Sequence, residues 1–404
     1  MLISPSKALG IILEHVRPLK AVGLPLSQAM GHCLAEEIRS DRDQPASDRS
    51  AMDGFAVRSS DLCHCRRELR VVGEVAAGSP ARPRVRAGTC VRVLTGANVP
   101  PGADAVVKVE QTQESEAGIV FRQGVRVGAN IRKQGEEAKK GGVLLKKGRV
   151  LGAAQIGVCA TVGKARPKVY PRPRVTVLCT GEELRSASDS VGGHELRDSN
   201  GPSLCTAMSL WGYGGVSHRR VPDDPTVLAV RIKRAASEHD VVILSGGVSV
   251  GKYDFVPEAI KLAGGRIRFH GVAMRPGKPE LYATLGGNKH IFGLPGNPLS
   301  VMTGFYEFAL PALRRLSGVE PRLCQASLHL PLAGEVAGLA KLVRYILAKV
   351  VSNKKGLSLK PLKSHGSGDL ISGGKADGVI VLPRRAGKIS AGSVVAFRPW
   401  RPLP

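Results

Sequence analysis

The sequence runs to 404 residues, room for roughly two or three domains of ordinary size. With 43% hydrophobic and 23% charged residues it falls in the globular class; no stretch approaches the ~18 uninterrupted apolar residues of a membrane span, and no secretory signal is read at the N-terminus. Eight cysteines without regular spacing exclude a disulfide framework and point to a reducing cytoplasm, while 59 basic against 33 acidic residues, formally +26, point to anionic partners: nucleic acid, an acidic membrane surface or a phosphorylated small molecule.

In chain order, Ser4-Pro5 reads as an N-cap followed by proline at the first helical position. Ala8, Leu9, Ile12, Leu13 and Val16 then share one face until Pro18, which predicts a first helix. A second short helical pattern covers Leu26 to Ile38. Cys63-His64-Cys65 has no second ligand pair at zinc-like spacing and reads as a loop. From Val71 to about Gly148, short apolar runs separated by glycine and proline predict a small β-rich unit. The densest basic stretch, Arg122 to Arg174, has only Phe121 beside it and Tyr170 within it for base stacking, so it reads as a solvated face. After the proline-rich, basic segment Ala165 to Pro173, strands alternate with helices predicted over Asn200 to Trp211, Thr226 to His239 and from Pro298. This argues a parallel sheet wound with helices on both faces, ending near Gly318. The runs RYILAKVV, GLSLKPL, GVIVLP and SVVAFRPW then predict a small β-barrel or sandwich.

Two apolar strands run straight into glycine loops: Val241 to Leu244 into Ser245-Gly246-Gly247-Val248-Ser249, and Ile291 to Leu294 into Pro295-Gly296-Asn297-Pro298. Beyond the carboxyl ends of strands in an open α/β sheet, glycine lets backbone amides approach a phosphate. Pro298 suits the first helical position, with orphan amides behind it that could face an anion. Glu182-Glu183, Asp223-Asp224 and Asp254 also follow strands. Gathered at one sheet edge, such acids repel unless a hard divalent cation or a shared proton compensates; alternatively each caps the helix after it, for which Asp223 and Asp224 before Pro225 are well placed.

The motifs SAMDGFAV, LTGANVPPGADAVVKVE, NIRKQGEEAKKGGVLLKKG, CTGEEL, RDSNG, SGGVSVGKYD, MRPGKP and GLPGNPLS stand in the order of the molybdopterin molybdenumtransferase family, known as MoeA and represented in animals by the E domain of gephyrin, and the resemblance covers nearly the whole chain. It implies a multidomain α/β fold whose central, doubly wound, mostly parallel sheet is shared with the MoaB/Mog-like molybdopterin adenylyltransferases. That domain, 167–317, is joined by an N-terminal helical and linker part (1–46 with 140–166), a β-rich insert (47–139) and a C-terminal small β-barrel (318–404). It implies a cytoplasmic homodimer with composite sites, a molybdopterin adenylyltransferase as upstream donor, and no nucleic-acid or membrane partner. The implied reaction inserts molybdate into adenylylated molybdopterin with Mg²⁺ present and releases AMP.

By this resemblance Asp53, Thr95, Glu183, Asp223 and Asp254 are the expected catalytic residues, with Glu183 and Asp254 as Mg²⁺ ligands. Arg275, Lys278 and Ser367 resemble the anion-holding side, and Ser245, Gly246, Gly247 and Ser249, with Pro295, Gly296, Asn297 and Pro298, the pterin and phosphate side. The sequence departs from the family where Arg275 replaces a lysine, Asp377 replaces an asparagine, and RYILAKVV places Leu347 where a basic residue is expected. Two other readings stand beside this one: a molybdopterin adenylyltransferase, which the sheet domain alone would serve, and a basic anion- or nucleic-acid-binding scaffold suggested by the charge.

Overall fold

A computed structural model describes residues 2–63, 67–248, 255–354 and 356–401. The chain divides into two compact units, one made of Glu36–Lys147 and Ala153–Pro167, the other of residues up to Ala35, Gly148–Gly152 and everything from Lys168 onward.

In the smaller unit the strand Gly54–Val57 lies between Ala105–Lys108 and Thr89–Val93, and the sheet continues through Arg67–Val75, Ile119–Phe121 and Thr112–Glu114. The period-two alternation of strands divides its apolar residues between two faces. Phe55 and Val57 pack with Leu69, Cys90, Val107 and Phe121, while Ala56 joins Val75, Val91, Val93 and Val106. Gly54 is required by close approach: a Cβ there would stand 1.9 Å from the Val107 carbonyl oxygen.

In the larger unit, helix α1 (Pro5–His15) starts as the cap predicts, with Ser4 Oγ accepting from the Lys7 amide at 3.2 Å. The helical pattern over Leu26 to Ile38 is realised only from Leu26 to Ala29. Gly31 turns the chain at φ +75°, and Cys33–Leu34 is taken into an antiparallel pair with Val169–Tyr170, a partner about 135 residues away.

The central sheet holds six strands: β1 (Val175–Thr180), β2 (Ser217–Val221), β3 (Val241–Ser245), β4 (Arg266–His270), β5 (Leu281–Leu285) and β6 (Lys289–Leu294), in the order β2-β1-β3-β6-β5-β4. The first four neighbours run parallel, and β5 and β4 close the edge antiparallel. One face is covered by α1, α2 (Asn200–Leu210) and the long helical run from Pro298 to Leu316; the other by α3 (Pro225–Glu238) and α4 (Val256–Leu262). The two cores separate by strand alternation, Val177 and Cys179 on one side and Leu178 on the other.

After Leu316 a second sheet forms around Val343–Asn353, which pairs with Gly356–Pro361 and Gly378–Leu382, followed by Val394–Pro399 and Leu328–Pro331. It curls toward closure where the Ala333 amide donates to the Leu359 carbonyl at 2.8 Å, enclosing Leu332, Ala348, Ile380 and Phe397. Its free edge reaches back to the central domain, with Met274–Arg275 pairing in parallel with Val343–Arg344.

Candidate active site

The predicted residues fall into three groups, one in the smaller unit and two in the larger. In the smaller unit Asp53 and Thr95, 42 positions apart, are joined: the Thr95 amide and hydroxyl both donate to Asp53 Oδ1, at 2.6 and 2.7 Å. These two bonds hold the exposed Asp53 carboxyl below its ordinary range, so it is a fixed anion at the start of a strand.

At the carboxyl ends of β1 and β2 stand Glu182, Glu183 and Asp223. The two aspartates that come after β2 divide the roles the sequence leaves open. Asp224 caps α3, its Oδ1 accepting from the Val227 amide at 2.7 Å. Asp223 does not cap; it turns toward the β1 turn. Burial pushes its carboxyl up, Thr180 and the Glu182 amide pull the other way, and the charges of Glu183 and Glu182 push it up again. Glu183 folds back over Gly181, where a Cβ would stand 2.8 Å from its Oε2. Hard carboxylate oxygens from two strand ends, with the glutamates' charge bearing on Asp223, are the donor type a hard divalent cation such as Mg²⁺ takes, and Glu183 and Asp223 are the residues that could hold it on the described residues. Asp254 and Ser249, the other expected members, lie outside the described residues.

The two glycine loops lie against each other. The Gly246 amide donates to the Leu294 carbonyl at 3.1 Å, and at φ +99° a Cβ on Gly246 would meet the Thr180 carbonyl oxygen at 2.5 Å, so only glycine fits this turn. One residue from the RDSNG motif ties both loops: Asn200 Nδ2 donates to Ser245 Oγ at 3.0 Å and to the Gly296 carbonyl at 2.7 Å. Sequence reasoning gives Asn200 no role, because its partners are 45 and 96 positions away.

Beyond these loops, between the central domain and the C-terminal sheet, is a cavity of about 1480 Å³. Arg275, Lys278, Pro295, Asn297 and Ser367 all line it, bringing three distant segments together. The helix that begins at Pro298 does not offer its first free amide to an anion as the sequence suggests. Leu299 N donates instead to the Ser367 carbonyl at 2.9 Å, which docks the SHGSGDL segment onto that helix. Charge in the cavity comes from side chains, and the structure adds three that sequence reasoning missed: Arg344, Lys360 and Lys363. Arg344 is the strand neighbour of Arg275, so the strand that carries Leu347 brings a basic residue to the cavity three positions before it. Its place there is set by pairing with Met274–Arg275, which local sequence does not show. Asp377 lies away from this chemistry; its carboxylate accepts from Arg401 Nε at 3.0 Å and from the Val350 amide at 2.8 Å, a structural clasp.

This arrangement offers acids at one end of a sheet, paired glycine loops beside them, and a basic cavity beyond. Family models match in chain order: the MoeA N-terminal region (domain I and II) over residues 3–163, the "Probable molybdopterin binding domain" over 176–315, and the MoeA C-terminal region (domain IV) over 329–400. The molybdopterin molybdenumtransferase of Staphylococcus epidermidis (strain ATCC 12228 / FDA PCI 1200) is 35% identical over 401 residues, 97% of this chain and 94% of its own length. That of Staphylococcus aureus (strain COL) is 35% identical over 400 residues with the same coverage. Among solved structures, the molybdopterin biosynthesis MoeA protein from Pyrococcus horikoshii OT3 superimposes with a TM-score of 0.84 at 27% identity, covering 98% of this chain and 99% of that one. No helix among the described residues is long and apolar enough to cross a membrane. Local geometry, domain order and end-to-end similarity agree, and the chain belongs to the molybdopterin molybdenumtransferase family.

Proposed function

We propose that this chain is a transferase of molybdenum cofactor biosynthesis that inserts molybdate into adenylylated molybdopterin and releases AMP, acting in the cytoplasm. The observation that carries the reading is the convergence of Arg275, Lys278 and Ser367 on one basic cavity next to the two glycine loops. Such a cavity suits a small oxyanion and a phosphorylated pterin together. An adenylyltransferase has less need of it, and the extended similarity over the N- and C-terminal regions weighs against that alternative.

In this reading Arg275, Lys278 and Arg344 hold the molybdate oxygens. Arg275 presents a planar fork where the family's lysine presents a point charge. The loops of Ser245–Gly247 and Pro295–Pro298 hold the pterin and its phosphate through the backbone amides of Gly247, Gly296 and Asn297 and the Ser245 hydroxyl, kept in register by Asn200. Glu183 and Asp223, with Asp254, would hold Mg²⁺, which when bound neutralises charge on the phosphoanhydride as AMP departs. Thr95 fixes Asp53 as an anion that orients a donor group of the substrate or of a bound water. We place Asp53 and Thr95 of one subunit with Glu183 and Asp223 of a partner copy in a homodimer, supplied by an upstream adenylyltransferase.

The test supplies purified protein with adenylylated molybdopterin, molybdate and Mg²⁺, and measures released AMP and metal-loaded pterin together. Stoichiometric loading without ATP is expected. Loading that requires ATP and unmodified molybdopterin would replace this reading with the adenylyltransferase one.

A further inference from the structure

Behind the substrate loops, on the α2 face of the central sheet, three donor side chains from three elements meet. Cys179 is the next-to-last residue of β1, Asp198 stands in the turn before α2, and His218 lies on β2, the edge strand. One ligand atom from each, sulfur, carboxylate oxygen and imidazole nitrogen, lies within 4.8 Å of the others. Parallel register explains the meeting: His218 is paired with Val177, so its ring projects from the same face as Val177 and Cys179. Gly201, one residue into α2, leaves the space for the ring, since a Cβ there would stand 2.1 Å from His218 Nε2.

We propose that Cys179, Asp198 and His218 form a binding site for a single thiophilic divalent cation of the Zn²⁺ class. The donor set is the borderline-soft mixture that Zn²⁺ takes and that Mg²⁺ or Ca²⁺ does not. Donors around 2.0–2.3 Å from a tetrahedral ion stand roughly 3.3–3.8 Å apart, so the present cluster needs only small side-chain shifts to close on one. The 2.7 Å contact between His218 Nε2 and Asp198 Oδ2 opens, and the sulfur moves in.

Surrounding groups are arranged to survive that change. Asp198 Oδ1 keeps the Gly201 amide at 3.0 Å, so the turn carrying Asn200 stays anchored whether or not the other oxygen binds an ion. The His218 side chain is 27% exposed, against 4% for Asp198, which gives an ion an entry from the edge strand. This cluster is separate from the Glu183 and Asp223 carboxylates, and the proposal does not rest on the transferase reading.

The experiment titrates full-length, chelator-treated protein with Co²⁺ as a spectroscopic stand-in, then displaces it with Zn²⁺. The expected result is a thiolate-to-cobalt charge-transfer band with tetrahedral visible bands, saturating at one ion per chain and bleached by Zn²⁺. Cys179→Ser should remove the charge-transfer band, and His218→Ala, on the partly exposed edge strand and so less demanding of the fold, should weaken Co²⁺ binding by about tenfold or more. Glu183→Gln should leave the titration unchanged. A folded wild-type protein without the band overturns the proposal, as does a band that survives Cys179→Ser or His218→Ala and is lost in Cys63→Ser, which would place the ion on a surface thiol.

Discussion

Single side chains in this molecule carry opposite assignments despite sharing a type and a neighbourhood. Asp223 and Asp224 are adjacent, yet only Asp224 bonds an amide of the following helix. Asp224→Ala is therefore expected to cost about 1 kcal/mol of stability in urea unfolding and to spare turnover, whereas Asp223→Asn should leave stability near wild type and strongly reduce AMP release. Local sequence cannot make this distinction, because both residues precede Pro225 and either suits a cap; β2 decides it by ending so that Asp223 meets the β1 turn. Glu280 is a different case, its buried carboxyl without a hydrogen-bonding partner among the described residues and lodged against Gly304, where a Cβ would collide with it. Burial pushes its proton affinity well above the ordinary 4.5. The folded state thus keeps a proton that the unfolded chain releases above that value, and stability falls as pH rises from about 4.5. Glu280→Gln should raise the melting temperature at pH 8 and change it little at pH 5, measured by differential scanning calorimetry.

Among the elements, the helical run from Pro298 to Leu316 ties the sheet domain to the C-terminal sheet through a buried side chain. It widens into a π turn over Phe305–Ala309, which points Glu307 out of the apolar stripe and into a buried network. Its carboxylate accepts from Arg398 Nε at 3.0 Å and from the Tyr345 hydroxyl at 3.1 Å, both in the C-terminal sheet. Removing one member leaves an uncompensated buried charge, so Arg398→Met is expected to destabilise by about 3–5 kcal/mol in urea unfolding, with much of that loss recovered in the double variant Glu307→Leu/Arg398→Met. Elements like this one are readable in their local features. The cap at Ser4, the proline starts of α1, α3 and the Pro298 helix, and the alternation of strand and helix are all short-range signals. The stretch Leu26 to Ile38 misleads because its apolar spacing suits a helix, while the partner that makes part of it a strand arrives only at Val169–Tyr170. Arg344 escapes sequence reasoning for the same reason: pairing with Met274–Arg275, about 69 positions earlier, sets its place in the cavity.

At the scale of the whole molecule, the proposed homodimer makes a prediction that no single subunit can satisfy. Asp53→Ala and Glu183→Gln chains, each inactive alone, should regain one working site per heterodimer when mixed and exchanged, giving about a quarter of wild-type specific activity at equal mixing, since half of the dimers are then heterodimers with one of two sites intact. Activity that stays at the level of either variant after verified exchange would mean that both residues serve from one chain. Domain order is legible from the texture of the sequence and from its ordered motifs. The meeting of Arg275, Lys278 and Ser367 at one cavity is legible only through the resemblance, because nothing in their local sequence brings residues about 90 positions apart together. The same long-range closure bears on how the chain is made. Helix α1 leaves the ribosome well before the partner it packs on: its apolar face, with Ala8 and Ile12 fully buried in the finished protein, rests against the helical run that ends at Leu316, and Leu19 N donates to the Leu316 carbonyl at 2.9 Å. At roughly 5–20 residues per second, some 300 residues and about 15–60 s separate the two in translation. During that interval the nascent chain carries the apolar face of this helix without the partner that covers it in the finished protein.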